Sequence, residues 1–290
     1  MSLGRTILCL DVGGSSIKSG LLKGDVVSKV KKTPIDSRGS REHIISDFKA
    51  IITSYMACFK LDGIAFSMPG PFEYEHGVFR IKGVNKFESL YGLNIGRILR
   101  EEHQIKCPFS FRNDAECAVL GEAEYGVGKD FEKMVGITLG TGFGSCFIER
   151  GTPLVEGTGV PENGWLYEEY WNGNRIDDLF SIRGLQSYLA EHGFEGDPKK
   201  AAGLVDEHEA IAEAFQRWGR DLGRFLAYRL VDFAPEAVLV LGGLSGAFPI
   251  YGESLRTEMT IPVLVGELNE KAPFFGAAEK LRQIHFADGD

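Results

Sequence analysis

The period of apolar and polar positions changes several times in the first hundred residues, and each change predicts an element. An apolar run, ILCLD, opens the chain and predicts a buried strand ending on Asp11. GGSSIKSGLLK follows a glycine pair, and VVSKVKK follows a Gly24–Asp25 turn signal, so the first forty residues predict a three-strand meander. From Ser40, a favoured N-cap, the positions His43, Ile44, Phe48, Ile51, Ile52 and Tyr55 recur at spacings of three and four, the mark of an amphipathic helix. Gly63 to Ser67 predicts a short buried strand that Pro69, Gly70 and Pro71 stop. Leu90 to His103 predicts a helix, and PFSFRND a strand whose last residues are Asn113 and Asp114.

Beyond Asp114 the pattern starts again. The helix-forming run AECAVLGEAEYG leads to the strand MVGITLG, and TGFGSCFIERG returns from a glycine turn. Two strand-turn-strand hairpins with glycine-rich tips, Asp11 to Lys18 and Leu139 to Ser145, suggest a duplication that gives two similar α/β domains facing a cleft. A long amphipathic helix is expected over Glu207 to Phe233, then a strand, AVLVLGG, and a final helix from about Phe274 to His285 packing back on the first domain. The expected division is therefore 1–114, joined by the C-terminal helix 274–290, and 115–273. With no Pro-, Gly- or Ser-rich linker between the halves, a tight hinge near Asp114 is expected, and closure of one domain on the other is the expected motion.

Composition narrows the class. A chain of 290 residues suits two packed domains, and 43% hydrophobic with 25% charged residues is a globular balance. The formal net charge of -9 argues against a nucleic-acid partner, which needs Lys and Arg concentrated on one face. Ile7 to Leu10 is too short to span a bilayer or form a signal-peptide core, so no membrane partner and a cytoplasmic address are expected. The five cysteines, Cys9, Cys58, Cys107, Cys117 and Cys146, form no closely spaced ligand set and are read as reduced, packed thiols.

Three glycine-rich stretches suggest chemistry. In DVGGSSIKSG a hydrophobic strand ends in Asp11, and the turn at Gly13 and Gly14 can present backbone N–H groups to a phosphate. Ser15, Ser16 and Lys18 add donors and a charge. Asp11 supplies the hard carboxylate that a phosphate-bridging Mg2+ needs, directly or through water. Taken alone, an ordinary Gly-Gly hairpin explains the stretch equally well. LGTGFGS, with Gly140, Thr141, Gly142 and Gly144, is a second such turn; a strand follows it, so it is not a dinucleotide fingerprint. A Walker A reading also fails, because Asp130 follows Gly128-Lys129 where Ser or Thr is required. Gly242 and Gly243, ending AVLVLGG, let a flat ring approach the backbone, though a turn needing positive φ explains them as well.

Together DVGGSSIK, SMPGPF, RNDAECAVLGEAEYGVG, TLGTGFGSCFI, VLVLGGLSG and the terminal PFFGAAEKL resemble the ROK family of sugar kinases and related repressors, in order and spacing over nearly the whole chain. The resemblance implies two ribonuclease-H-like domains of the actin-like ATPase fold with an interdomain cleft. It also implies an ATP- and Mg2+-dependent transfer to a hexose hydroxyl, such as the 6-hydroxyl of glucose, a related hexose or an N-acetylhexosamine. By it, Asp11 to Lys18 and Gly140 to Gly144 are the phosphate loops, and Gly242 and Gly243 lie beside the adenosine. Asp114 is the catalytic base and, with Asn113, holds sugar hydroxyls; Gly70 and Asn85 match sugar-pocket positions. Relatives are frequently homodimers.

Departures from the family pattern sharpen the reading. Members usually carry Glu-x-Gly-His and then a cysteine cluster that together hold a structural zinc; here the stretch reads ENGW, Glu162 to Trp165, and no cysteine follows Cys146. Losing histidine and thiolates together predicts no structural zinc. Glu162 is left for a sugar hydroxyl, and Asp177 stands in for a Glu that often follows the cysteines. Trp165, beside Tyr167, Tyr170 and Trp171, reads as core before it reads as a sugar-stacking ring. Zinc-free relatives include polyphosphate-dependent glucokinases, whose GTGIGSAFI is similar to GTGFGSCFI, so polyphosphate is an alternative donor; the acidic balance counts mildly against that polyanion. A sugar-sensing transcription regulator is the alternative from another class, but it would carry a helix-turn-helix before the first loop, where only ten residues precede Asp11. A non-catalytic sugar-binding protein is the third reading, discouraged by the survival of both loops and Asp114.

Overall fold

The computed structural model describes residues 4–286. The chain divides into two compact units, Met1–Gly121 with Glu270–Asp290, and Glu122–Asn269. This division lies inside the helix that follows Asp114, beyond the boundary read from the sequence, because that helix continues unbroken from Asp114 to Tyr125.

The first unit is built on a five-stranded sheet of order β3-β2-β1-β4-β7. Strands β1 (Thr6–Val12), β2 (Ser16–Lys23) and β3 (Val26–Pro34) form the expected antiparallel meander. Helix α1 (Arg41–Met56) follows, with the Ser40 side chain accepting from the His43 amide. Strand β4 (Gly63–Met68) lies between β1 and β7 (Phe109–Asn113), parallel to both. It is buried at all six residues, which is why it reads as an unbroken apolar run rather than an alternation. The edge strand β3 instead exposes Lys29, Lys31 and Lys32, charges that discourage pairing with another chain. Between β4 and β7 lie the short pair β5 (Phe72–Glu73) and β6 (Val78–Phe79) and helix α2 (Ile95–Glu101). The expected helix over Leu90 to His103 is therefore shorter than read, because left-handed Gly92 (φ 78°) interrupts it and Asn94 caps it at the Arg97 amide, 2.7 Å away. Helix α3 (Asp114–Tyr125) leaves β7, and the C-terminal helix, Ala272–His285, packs on β4, β7 and β1.

The second unit repeats the scheme, with sheet order β10-β9-β8-β13-β14. Strands β8 (Lys133–Leu139), β9 (Phe143–Glu149) and β10 (Thr152–Leu154) form an antiparallel meander. The small hairpin β11 (Tyr170–Trp171) and β12 (Asn174–Arg175) precedes helices α4 (Ile176–Phe180), α5 (Ile182–Glu191), α6 (Pro198–Ala202) and α7 (Glu209–Arg229). Then come β13 (Ala237–Leu241), α8 (Phe248–Arg256) and β14 (Val263–Val265), the two strands adding to β8 in parallel. Helix α7 matches the long amphipathic helix in place, and Phe215, Trp218, Leu222, Phe225 and Leu226 on its inner face are buried. The meander-plus-parallel topology is the same in both units, as the recurring sequence pattern implied. Among the described residues, no helix is long and apolar enough to cross a membrane.

Candidate active site

In the first unit the residues of interest gather at one end of the sheet. Register sets Asp11 of β1 opposite Lys18 of β2 on one side and Ser67 of β4 on the other. The Ser67 hydroxyl donates to Asp11 Oδ1 at 2.8 Å. Burial pushes the Asp11 carboxyl up, while the Ser67 hydrogen bond and the Lys18 charge oppose it. The turn beyond is closed by Gly13 N–H donating to the Ser16 carbonyl at 3.0 Å, which leaves Gly13, Gly14 and Ser15 exposed. A Cβ on Gly14 would stand 3.7 Å from Ser37 Oγ and 3.9 Å from Lys86 Cδ, so the Lys86 stem runs past this turn. Lys18 itself pairs with Glu270 at 2.9 Å. Glu270 is thus a charge partner of the hairpin that the sequence did not reveal.

The Asn-Asp pair lies two strands away, where β7 becomes α3. The N-cap belongs to Asn113, not to Asp114: Asn113 Oδ1 accepts from the amides of Ala115 (3.0 Å) and Glu116 (3.2 Å). Asp114 Oδ1 also accepts from Ala115 N–H, at 2.9 Å. The Asp114 surface is open to water, yet surrounding protein removes part of its carboxylate hydration and Asp11 adds a like charge, so its pKa is pushed up to about 6. Lys86 pulls in the other direction and is the nearby cation acting on it. Beside the pair, Asn113 Nδ2 donates to Tyr74 Oη at 2.9 Å. Gly70 completes the cluster, since a Cβ there would stand 3.1 Å from Tyr74 Oη and 3.8 Å from Asn113 Nδ2. Asn85 is exposed with φ 55°, its amide donating to Glu88 Oε1 at 2.7 Å; no hydrogen bond among the described residues ties its side chain to Asn113 or Asp114.

In the second unit the turn between β8 and β9 mirrors the first. Gly140 N–H donates to the Gly142 carbonyl at 3.1 Å, and the Gly140 carbonyl accepts from Ile182 at 2.8 Å. Thr141 and Gly142 are exposed and Gly144 follows within β9. Asp177, which the resemblance suggested as a sugar ligand, is engaged elsewhere. Its Oδ1 accepts from Phe143 N–H at 2.7 Å, and its Oδ2 pairs with Arg183 at 2.6 Å. Oδ1 thus braces the end of the glycine turn at β9, while Oδ2 ties the start of α4 to Arg183 at the start of α5.

Glu162 is exposed in a 3-10 turn, Glu162–Gly164, that Ser145 fastens to β9: its hydroxyl donates to the Gly164 carbonyl at 2.7 Å and accepts from Leu166 N–H at 2.9 Å. Trp165 is half-buried against Tyr167, Trp171 packs edge-on to Phe225 and tilted against Tyr228, and Tyr170 is 67% exposed. Tyr167 and Trp171 pack against the core of the second unit, as expected of the run, and only Tyr170 is turned outward by the two-residue hairpin. Gly242 adopts φ 89°, and a Cβ there would stand 2.5 Å from the Leu139 carbonyl oxygen; close strand packing requires this glycine. Nothing lies within 4 Å of a Cβ on Gly243, so that position leaves the open approach. Among the described residues, no group of three or more His, Cys, Asp or Glu is gathered to hold a metal.

Two sheets of one topology, each with a glycine turn between its first two strands, define an α/β protein of two ribonuclease-H-like domains, the actin-like ATPase class. The chain belongs to the ROK family, whose pattern matches residues 7–279. It is similar to the N-acetyl-D-glucosamine kinase of Aliivibrio fischeri, 28% identical over 273 residues that cover 84% of this chain and 86% of the relative. Among solved structures, the ROK hexokinase of Thermus thermophilus superposes with a TM-score of 0.77 at 21% identity, covering 96% of this chain and 100% of the other. A ROK family glucokinase from Streptomyces griseus, solved with glucose and AMPPNP, superposes with a TM-score of 0.76 at 19% identity, covering 96% and 99%.

Proposed function

We propose that this protein transfers the γ-phosphoryl group of ATP to a hydroxyl of a hexose or N-acetylhexosamine, with Asp114 as general base. The chain is a carbohydrate kinase, a phosphotransferase with an alcohol group as acceptor. The observation that supports the assignment of Asp114 most is the division of labour in the Asn113-Asp114 pair. Helix capping falls to Asn113, and among the described residues Asp114 makes no hydrogen bond through Oδ2, on an open carboxylate whose pKa is pushed up to about 6. A base titrating near the working pH is well matched to taking a hydroxyl proton as the phosphoryl group transfers.

The Asp11–Lys18 hairpin and the Gly140–Gly144 turn are read as phosphate loops that supply backbone donors, so positioning and charge stabilisation are the main contributions asked of the protein. Asp11 fits a hydrated Mg2+: one hard carboxylate, raised by burial, whose Oδ1 is already fixed by Ser67. Such an ion, held by Asp11 through water, would neutralise phosphate charge. The N-acetyl-D-glucosamine kinase among the relatives and the glucokinase solved with glucose support a hexose-type acceptor. A coupled ADP-release screen over glucose, mannose, fructose, allose, N-acetylglucosamine and N-acetylmannosamine tests the proposal, with polyphosphate run as the competing donor. Turnover of one sugar with ATP, abolished in Asp114→Asn, is the expected result; no turnover of any sugar with either donor would overturn it.

A further inference from the structure

Asn113 is asked to do two things at once: cap a helix and present a polar group to the sugar. Its amide has four hydrogen-bonding positions, two acceptor lone pairs on Oδ1 and two N–H donors on Nδ2. Both lone pairs are taken by the amides of Ala115 and Glu116. One N–H goes to Tyr74 Oη at 2.9 Å. A single N–H remains, and its direction is set by the other three bonds.

Tyr74 is held mainly by packing. Its hydroxyl lies 3.5 Å from the Met68 carbonyl, a long contact toward which its proton can point, leaving its lone pairs for Asn113 Nδ2. The ring packs against Phe72 with centroids 5.4 Å apart. Gly70 leaves room for the hydroxyl where any side chain would crowd it, at 3.1 Å from a Cβ. Burial and the negative charge of Asp114 push the phenol well above the usual tyrosine range, so it stays a neutral acceptor at any working pH. A hydroxyl placed here therefore fixes which face of Asn113 is donor and how it is aimed.

We propose that Tyr74 is a positioning residue for sugar recognition, orienting the Asn113 amide so that it offers one N–H, and no acceptor, to a sugar hydroxyl. This rests on the reading of Asn113 as a sugar ligand given above. It specifies the sense of the contact: the sugar oxygen at Asn113 accepts. Neither the motif nor the spacing points to Tyr74, which lies 39 residues from Asn113 in sequence.

The test is direct sugar binding by calorimetry, together with KM and kcat, on the full chain with the best sugar of the screen. Tyr74→Phe keeps the ring, its contact with Phe72 and the cap, so the melting temperature should stay within a few degrees. Sugar Kd and KM should rise about 3- to 10-fold, the scale of one neutral hydrogen bond, with kcat and the KM for ATP changed by less than about 2-fold. Asn113→Ser retains a good cap but cannot reach Tyr74 or the sugar. Adding Tyr74→Phe to it should then change sugar affinity no further, because the tyrosine acts through the amide it no longer touches. Unchanged sugar affinity in Tyr74→Phe, additive effects with Asn113→Ser, an equal loss of ATP affinity, or a Phe variant that does not fold would each overturn the proposal. An inactive Asp114→Asn beside a fully normal Tyr74→Phe would discard this inference alone, whereas an active Asp114→Asn would discard the base assignment and leave the binding comparison standing.

Discussion

Replacing Asp114 with Asn separates chemistry from architecture. The side chain keeps its shape, and an amide oxygen can accept from Ala115 N–H as the carboxylate does at 2.9 Å. The helix cap is not at stake, since Asn113 holds the amides of Ala115 and Glu116. Stability should if anything improve. The Asp114 pKa is raised to about 6, so the ionised carboxylate is disfavoured by the fold; that cost is fully present above pH 6 and is relieved as pH falls toward the unfolded value. A neutral amide removes it, and the melting temperature at pH 8 should equal or exceed that of the wild type. Catalysis should move the other way. At pH 8 all but about one part in a hundred of a base with this pKa is ionised and ready to take a proton, and an amide cannot take one. Loss of a positioned base costs about 10² to 10⁴ in kcat, or about 2.7 to 5.4 kcal/mol of barrier at about 1.36 kcal/mol per tenfold. The assay is steady-state ADP release at saturating ATP and sugar, with calorimetry to check that sugar still binds. Activity within a few-fold of the wild type in a folded variant would refute the reasoning and leave Asp114 without a role that its exposure and shifted pKa explain.

Three further outcomes follow from named contacts. In wild type, kcat/KM should fall with decreasing pH below about 6, close to tenfold per unit, as Asp114 is protonated. Asp11, Glu116, Tyr74, Cys117 and Lys86 are the titratable groups that interact with it; the Ala115 amide and then the Lys86 charge lower its pKa, so Lys86→Met should move that limb to higher pH. Gly142→Val should weaken ATP binding at least about tenfold with little effect on sugar binding, because its Cβ would stand 3.0 Å from Asp177 Oδ1 at the tip of the turn; unchanged ATP affinity by calorimetry in a folded variant would free that turn from the phosphate role. Elemental analysis of purified, tag-free protein should find far less than one zinc per chain, given Trp165 where histidine is usual; a stoichiometric, chelator-resistant zinc would contradict this.

The parts of the fold and site that were legible in the sequence are those in which local chemistry dictates residue type. A tight turn between strands favours glycines, a capped strand-helix junction favours Asn or Asp, and a central parallel strand is buried on both faces and largely apolar, as β4 is apart from Ser67. Hence the meander, both hairpins and the Asn113-Asp114 junction could be read directly. The helix over Leu90 to His103 could not, since its apolar spacing continues through Gly92, whose left-handed backbone is decided by the neighbouring Phe79 carbonyl that accepts its amide at 2.9 Å. In the aromatic group around Trp165 one member departs for a related reason: Tyr167 and Trp171 pack on the core, but Tyr170 is exposed. Composition marks such a group as core, but exposure depends on where a two-residue hairpin lies in the fold.

What stayed hidden was the layer that holds the motifs in place. Ser67 reaches Asp11 only through the β1–β4 register, Glu270 reaches Lys18 from the far end of the chain, Asp177 reaches Phe143 from the start of α4, and Tyr74 reaches Asn113 across the β4–β7 loop. Each is a single hydrogen bond or ion pair whose partner could be supplied by several residue types at several positions, so no spacing rule marks it in advance. Yet these bonds decide what the motif residues can do. Asp177 illustrates the point: residue type and order suggested a sugar ligand, and the structure adds a second task, since Oδ1 accepts from Phe143 N–H and Oδ2 pairs with Arg183, leaving one acceptor position on each oxygen. The same accounting leaves Asp114 freer, because among the described residues only its Oδ1 accepts a side-chain or backbone hydrogen bond. The two carboxylates thus differ in how much of their hydrogen-bonding capacity the fold itself uses.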